Sequence, residues 1–228
     1  MKAPIVKQNY EQLEAGNYMA RLYQIIYIGT VLVEWKGVDK MQSKIRLSFE
    51  FPTEKRVFNE ENGEQPYVLS REFTFSMNKK GNFRPMIESW LGKKLSDEEA
   101  IDFDIDTMIG KEAMVNVVHN QANNGNTYAN ISTVSPLMKG SKCPQPINKQ
   151  VIFGINNWNQ EFFDDLPDFI KEKIMTSDEY KEKFKNGLEE PDEEEVTENK
   201  EITNKTIKDL KKNKDEEKEE IDLDSIPF

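Results

Sequence analysis

A chain of 228 residues with a formal net charge of −11 has room for one domain of ordinary size plus a tail, or for two small domains. Its single Cys and single His exclude an internal disulfide and a Cys/His zinc cluster, and a nucleophile–His site would need Cys143 and His119 to meet in space. The acidity is local: residues 188–228 hold 16 acids against 7 Lys, a net of −9, whereas residues 1–187 hold 26 acids against 24 bases, a net of −2, so a near-neutral domain can still present one basic face.

The N-terminus lacks a signal-peptide core, and no stretch reaches the ~20 apolar residues that a membrane span needs. A cytoplasmic protein, in a bacterium or an infected cell, without membrane association is expected. From Asn17 to about Val33 the β-branched and aromatic residues Tyr18, Tyr23, Ile25, Ile26, Tyr27, Ile28, Val31 and Val33 predict a long strand bent at Gly29. Ile45, Leu47, Phe49 and Phe51 alternate with Arg46, Ser48 and Glu50, which predicts a second strand with one core face and one wet face. Pro52 to Pro66, with Asn62-Gly63 among acids, reads as an exposed hairpin loop, and a third strand follows over about Tyr67–Met77 with Phe73 and Phe75 as core.

The period then changes. Phe83, Met86, Ile87, Trp90 and Leu91 fall at three- and four-residue spacings, predicting a short helix over 82–91 stopped near Gly92, and Ser96–Glu99 has the capping-box pattern. Strands resume at Glu112–Asn120 and Thr127–Val134 around an Asn-Asn-Gly-Asn turn. Three strands, a helix and a two-strand hairpin follow the element order of an OB-fold, a five-stranded Greek-key barrel. Pro144 and Pro146 mark an extended segment over 140–150. A helix over 164–174 is expected, with Asp165 as cap, Pro167 in its first turn and Leu166, Phe169, Ile170 and Ile174 on one face, and another is expected from about Thr176. Residues 188–220 are almost entirely Glu, Lys, Asp, Asn and Thr, relieved by few aliphatic side chains such as Val196, Ile202, Ile207 and Leu210; such a segment cannot offset its ordering entropy and is expected to be disordered.

The last eight residues, Ile221-Asp-Leu-Asp-Ser-Ile-Pro-Phe228, place an aromatic ring and the terminal carboxylate at the end of an acidic run. A ring there has nothing at home to bury against, so a partner's pocket accounts for it. Asp222, Asp224, Ile226, Pro227 and Phe228 together resemble the C-terminal tip of bacterial and bacteriophage single-stranded DNA-binding proteins, with Ser225 where that pattern often has Asp. The opening Leu13-Glu-Ala-Gly-Asn-Tyr-Met-Ala-Arg21 and the block containing Trp158, Phe162, Phe163, Leu-Pro-Asp-Phe and Ser-Asp-Glu-Tyr are similar to phage members of that family. The resemblance implies a mainly β chain: an OB-fold over 1–150, a helical extension over 151–187, a charged linker over 188–220 and a partner-binding tip over 221–228. It implies sequence-independent binding of single-stranded DNA and recruitment of replication, recombination or repair proteins, with no cofactor, metal or catalysis, and leaves homo-oligomer formation open. The alternative is a non-enzymatic adaptor whose acidic tail mimics nucleic acid.

Unpaired DNA is held by cations along the phosphates and by rings on which bases stack. The candidates are Arg21, Tyr23 and Tyr27, which share parity on strand one; Trp35 and Lys36 beyond it; Arg46 on strand two, forced off the core face by its neighbours; Arg71 on strand three; Lys79, Lys80 and Arg84 around the first helix; and Tyr128 in the last hairpin. His119 reads as a strand-surface residue, Cys143 as an idle thiol, and Asp102, Asp104 and Asp106 as a solvated strand edge, since they lack the Gly and closing Glu of a calcium loop. No Walker loop, dinucleotide fingerprint or nucleophile elbow is present.

Overall fold

A computed structural model describes residues 12–122 and 125–185, Trp35 by its backbone alone. The linker over 188–220 and the tip over 221–228 lie outside the described residues. The chain is mainly β. Strands β1 (Gly16–Trp35), β2 (Val38–Asn59), β3 (Gly63–Thr74), β4 (Glu112–Gln121) and β5 (Thr127–Ser135) form one antiparallel sheet in the order β3-β2-β1-β4-β5, curled into a nearly closed barrel. Between β3 and β5 the seam is bridged by Arg71, whose guanidinium donates to the carbonyls of Ile131 at 3.1 Å and Ser132 at 2.8 Å.

Strand β1 carries the architecture because both of its faces are buried. Register shifts between Leu22 and Gln24 and between Tyr27 and Gly29 each invert the alternation. Ala20, Leu22 and Ile25 point into the barrel core with Ile45, Leu47, Phe49 and Phe51 of β2, while Ile26, Ile28 and Val31 point outward into a second core. That core is roofed by the C-terminal segment: a short strand β6 (Val151–Phe153), which pairs in parallel with Gln24–Ile26, and helices α3 (Gln160–Asp164), α4 (Asp168–Thr176) and α5 (Asp178–Lys185). The inverted parity separates Tyr23 from Tyr27, so the three strand-one candidates do not share a face.

The expected wet face of β2 is also covered in part. Ser48 and Glu50 are buried, because the Glu50 carboxylate accepts the backbone N–H groups of Ile147 and Asn148, each at 2.9 Å, and the Asn148 side-chain amide at 2.8 Å. A buried carboxylate is tolerated when each oxygen is answered in this way. The hairpin expected to loop from Pro52 to Pro66 instead stays in the ladder up to Asn59. Residues 52–54 drop out of the pairing, which resumes at Lys55, and residues 60–62 form a tight turn in which the Asn59 side chain accepts the Glu61 N–H. β3 ends at Thr74, so Phe73 is core while Phe75 lies beyond the strand, partly exposed.

Helix α1 (Phe83–Leu91) plugs one end of the barrel with Phe83, Met86, Ile87 and Trp90, and stops where Gly92 adopts a left-handed φ of 67°. A capping box between Ser96 and Glu99 opens the short helix α2 (Asp97–Ile101). The single helix expected over 164–174 is split: Asp165 closes α3, and Pro167, with extended backbone, precedes α4 rather than entering its first turn. Proline has no N–H to continue the preceding helix and biases Leu166 away from it. Ile170 and Ile174 are buried beneath α4, whereas Phe169 is exposed.

Helix α5 is pinned where β1 bends. The Glu179 carboxylate accepts the Thr30 N–H at 2.6 Å and the Thr30 hydroxyl at 2.7 Å. This approach needs Gly29, whose φ is +98° and where a Cβ would come within 2.7 Å of Glu179 Oε2 and 2.8 Å of Ser177. Gly29→Ala is therefore expected to lower stability by about 1–3 kcal/mol through backbone strain and helix displacement. Urea unfolding followed by fluorescence of Trp158, which packs on Phe153 and Tyr180, checks this; an unchanged midpoint would refute it.

Candidate nucleic-acid interface

Outside the barrel, β2 and β3 present a row of polar side chains in register: Lys44 opposite Thr74, Arg46 opposite Glu72 and Ser48 opposite Ser70. Lys44 donates to the Thr74 hydroxyl at 3.1 Å, and that hydroxyl donates to Gln42 at 2.9 Å. Arg46 lies half-buried between Ile26 and Glu72. Its guanidinium carbon sits 5.6 Å from the centre of the Phe169 ring on α4. Burial lowers the Arg46 pKa while the Glu72 carboxylate opposes that shift. Tyr23, turned outward by the β1 register shift, shares this environment; burial raises its hydroxyl pKa, the Glu50 charge adds to the rise and Arg46 opposes it. From α4, Lys173 reaches Glu72 at 3.1 Å. Lys44 was legible from the same alternation that singled out Arg46. Lys173 and Phe169 were not, because their place follows from how a distant helix packs.

The β1–β2 hairpin ends in Trp35, paired with Val38 across Lys36 and Gly37. Both turn residues have positive φ, 52° and 75°, the geometry of a tight hairpin turn that matches strand twist. Lys36 is exposed at this tip. Tyr128, the second residue of β5, lies opposite Asn120 and is 45% exposed, its hydroxyl 3.4 Å from the Asn126 amide.

Except for Lys80, the remaining candidates are engaged within the fold. Arg21 donates to the carbonyls of Gly110 at 2.8 Å, Cys143 at 2.7 Å and Pro144, and approaches Glu112 at 3.5 Å, so it staples the 143–144 segment to the barrel. Arg71 closes the β3–β5 seam and lies over the Phe73 ring at 5.0 Å. Arg84 is buried, with donors to Glu88, Asp97 and the carbonyls of Met77, Leu95 and Ser96. Lys79 pairs with Asp97 at 2.8 Å, and Lys80 is exposed beside it. Tyr27 packs against the barrel core and donates to Asp106 at 2.7 Å; burial, then that bond, raises its hydroxyl pKa. The structure thus brings Tyr23 and Arg46 together and adds Lys44, Lys173 and Phe169. It places Arg21, Tyr27, Arg71 and Arg84 elsewhere.

The three aspartates belong to turns and not to a strand edge: Asp102 caps α2, Asp104 caps the tight turn at 105–108, and Asp106 receives Tyr27. Among the described residues no group of His, Cys, Asp and Glu could hold a metal ion. His119 lies on β4 with Nε2 at 2.8 Å from the Leu13 carbonyl. Cys143 is buried, and that burial raises its thiol pKa. No helix among the described residues is long and apolar enough to cross a membrane. No protein-family model, curated protein or solved structure matches the chain.

The Arg84 network makes a pH-dependent contribution to stability. Glu88 is bonded by Lys94 and by Arg84, which hold its carboxyl down to about 2 from an ordinary 4.5. A carboxyl with a depressed folded-state pKa stabilises the fold above its unfolded value, and the contribution is lost as pH falls from about 4.5 towards 2. Urea midpoints across that window should fall less steeply for Glu88→Gln than for the parent chain; parallel curves would show that Glu88 carries no such linkage.

Proposed function

We propose that the barrel is an OB-fold and that the chain is a non-enzymatic single-stranded DNA-binding protein. The observation that carries this reading is the strand order β3-β2-β1-β4-β5, curled so that Arg71 bridges β3 to β5, with α1 between β3 and β4. In OB-folds the β2–β3 face and the loops after strands one and four bind oligonucleotides. In this chain those places carry Lys44 and Arg46, Trp35 and Lys36, and Tyr128. The acidic tip, with its resemblance to the family, supplies the second half of the reading: Phe228, Asp222 and Asp224 suit a partner pocket with an apolar floor and a cationic rim, and Pro227 restricts the chain that presents the ring. The adaptor reading gains from the internal engagement of Arg21, Arg71 and Arg84, which removes three cations from any phosphate path.

Oligo-dT titrations over a salt series separate the two. Binding that weakens steeply with salt supports the first reading, because each phosphate neutralised on a single strand contributes a slope of about −0.7. No binding at low salt, even after removal of residues 188–228, overturns it. That truncation should tighten binding at low salt, since a tail of net −9 (16 acids against 7 Lys) competes with phosphates for the same cations. Arg46→Ala should weaken binding and make the slope shallower by about 0.7; an unchanged slope in a folded variant would remove Arg46 from the site.

Deleting Phe228 should leave oligo-dT affinity unaltered while removing partner proteins from pull-downs. The ring lies far along the chain from the last described helix residue, Lys185. Identical partner sets with and without Phe228 would sink the assignment.

A further inference from the structure

We propose that Phe169 on α4 is a stacking platform for an unpaired nucleobase, so that the C-terminal helical layer forms one wall of the strand-binding groove; this rests on the single-stranded DNA reading above. The amphipathic pattern places Phe169 with Leu166, Ile170 and Ile174 on a buried stripe. The structure buries those three and leaves Phe169 52% exposed. Burying a Phe side chain fully stabilises by about 1.5–3 kcal/mol, so this ring forgoes much of that gain. It is nevertheless held in place.

What holds it is the β2–β3 face. Phe169 and Lys173 are four residues apart and share one side of α4. That side lies against the cross-strand pair of the sheet, Phe169 over Arg46 with 5.6 Å from guanidinium to ring centre, and Lys173 on Glu72 at 3.1 Å. A cation on one side of the ring leaves the rest of its surface for a base, and π-surfaces accept any base, as a sequence-independent binder requires. Lys44, Arg46 and Lys173 stand in this row against the carboxylates of Glu72 and Glu50, a balance of three cations to two anions. Asp168, beside Phe169, is answered by Lys171 at 2.9 Å, and Glu50 on the same strand face is buried under the 147–148 segment. A ring anchored on an arginine, among cations in net excess, fits a base with its phosphates better than an apolar protein segment, which would leave those charges unanswered.

The test uses the full chain and labelled oligo-dT. Phe169→Ala should weaken binding by about tenfold, within the range of 1–3 kcal/mol for a lost base stack, with an unchanged log–log salt slope because no counterion release is lost. Phe169→Trp should restore affinity, and its fluorescence should be quenched by oligo-dT beyond any change in the parent's own tryptophan signal. Parent-like affinity for Phe169→Ala, or no added quenching for Phe169→Trp, overturns the platform while leaving the DNA-binding reading intact. Absence of binding by the parent at low salt, with or without residues 188–228, overturns both. Should Phe169→Ala fail to fold by urea titration, the quenching of Phe169→Trp decides.

Discussion

The register shift between Leu22 and Gln24 is the constraint on which the rest of the structure depends. A regular strand could not place both Leu22 and Ile25 inside the barrel, because residues three apart point to opposite faces. The shift keeps Leu22 and Ile25 inside the barrel and gives the outer face Ile26 and Ile28, which then require a roof. Each fully buried Ile contributes about 1.5–3 kcal/mol, so an uncovered outer face would be costly. Phe153, Phe163, Leu166, Ile170 and Ile174 supply the cover. The helices that look appended in the sequence are therefore half of a core whose other half is strand one.

That roof shapes the candidate interface. α4 and α5 occupy the outer side of β1 and leave the outer row of β2 and β3 beside them, so the row is bordered by a helix on the β1 side. The two ion contacts that cross this border, Arg46 to Phe169 and Lys173 to Glu72, tie the helix to the sheet at the place where the barrel face would meet a ligand. Glu179 on Thr30 fixes the next helix from the other end of the bend. Because these contacts fix α4, Phe169 and Lys173 are already positioned at the candidate interface, and a ligand bound there would not bear the cost of ordering them.

Much of the barrel was legible because its signals are local. Period-two alternation in Ile45, Leu47 and Phe49, the change of period at Phe83, the Ser96–Glu99 box and the Gly-containing turn before Thr127 each encode their own element. The register shift left no such mark: Leu22-Tyr23-Gln24 contains neither Gly nor Pro, so Tyr23 and Tyr27 read as one face. The coverage of Glu50 by Ile147 and Asn148 depends on residues almost a hundred positions away, and no local pattern reports it. Pro167 was legible as a helix-start residue; that it stands outside α4 follows from Leu166 having to reach the second core. Within the candidate site Arg46 was readable from alternation, whereas the ring above it was assigned to the wrong side of its helix.

The use of cations divides by side-chain type. The chain has five arginines, and three of them, Arg21, Arg71 and Arg84, are committed to backbone carbonyls within the fold. Carbonyls at loop ends are fixed in direction, and a planar guanidinium with five divergent donors can satisfy several of them at once, which an ammonium cannot do with the same rigidity. Lysine is the better residue for an anion that slides and carries no fixed orientation, because a strongly hydrated point charge on a flexible stem follows phosphates without demanding a geometry. Lys36, Lys44 and Lys173 border the candidate interface, with Arg46 the arginine among them. Arg46 is also the cation that touches an aromatic ring there, a contact for which the delocalised guanidinium is suited. Counting basic residues in the sequence thus overstates the charge available to a ligand and misses where it is organised: lysines along the face, and one arginine where the face meets the helix.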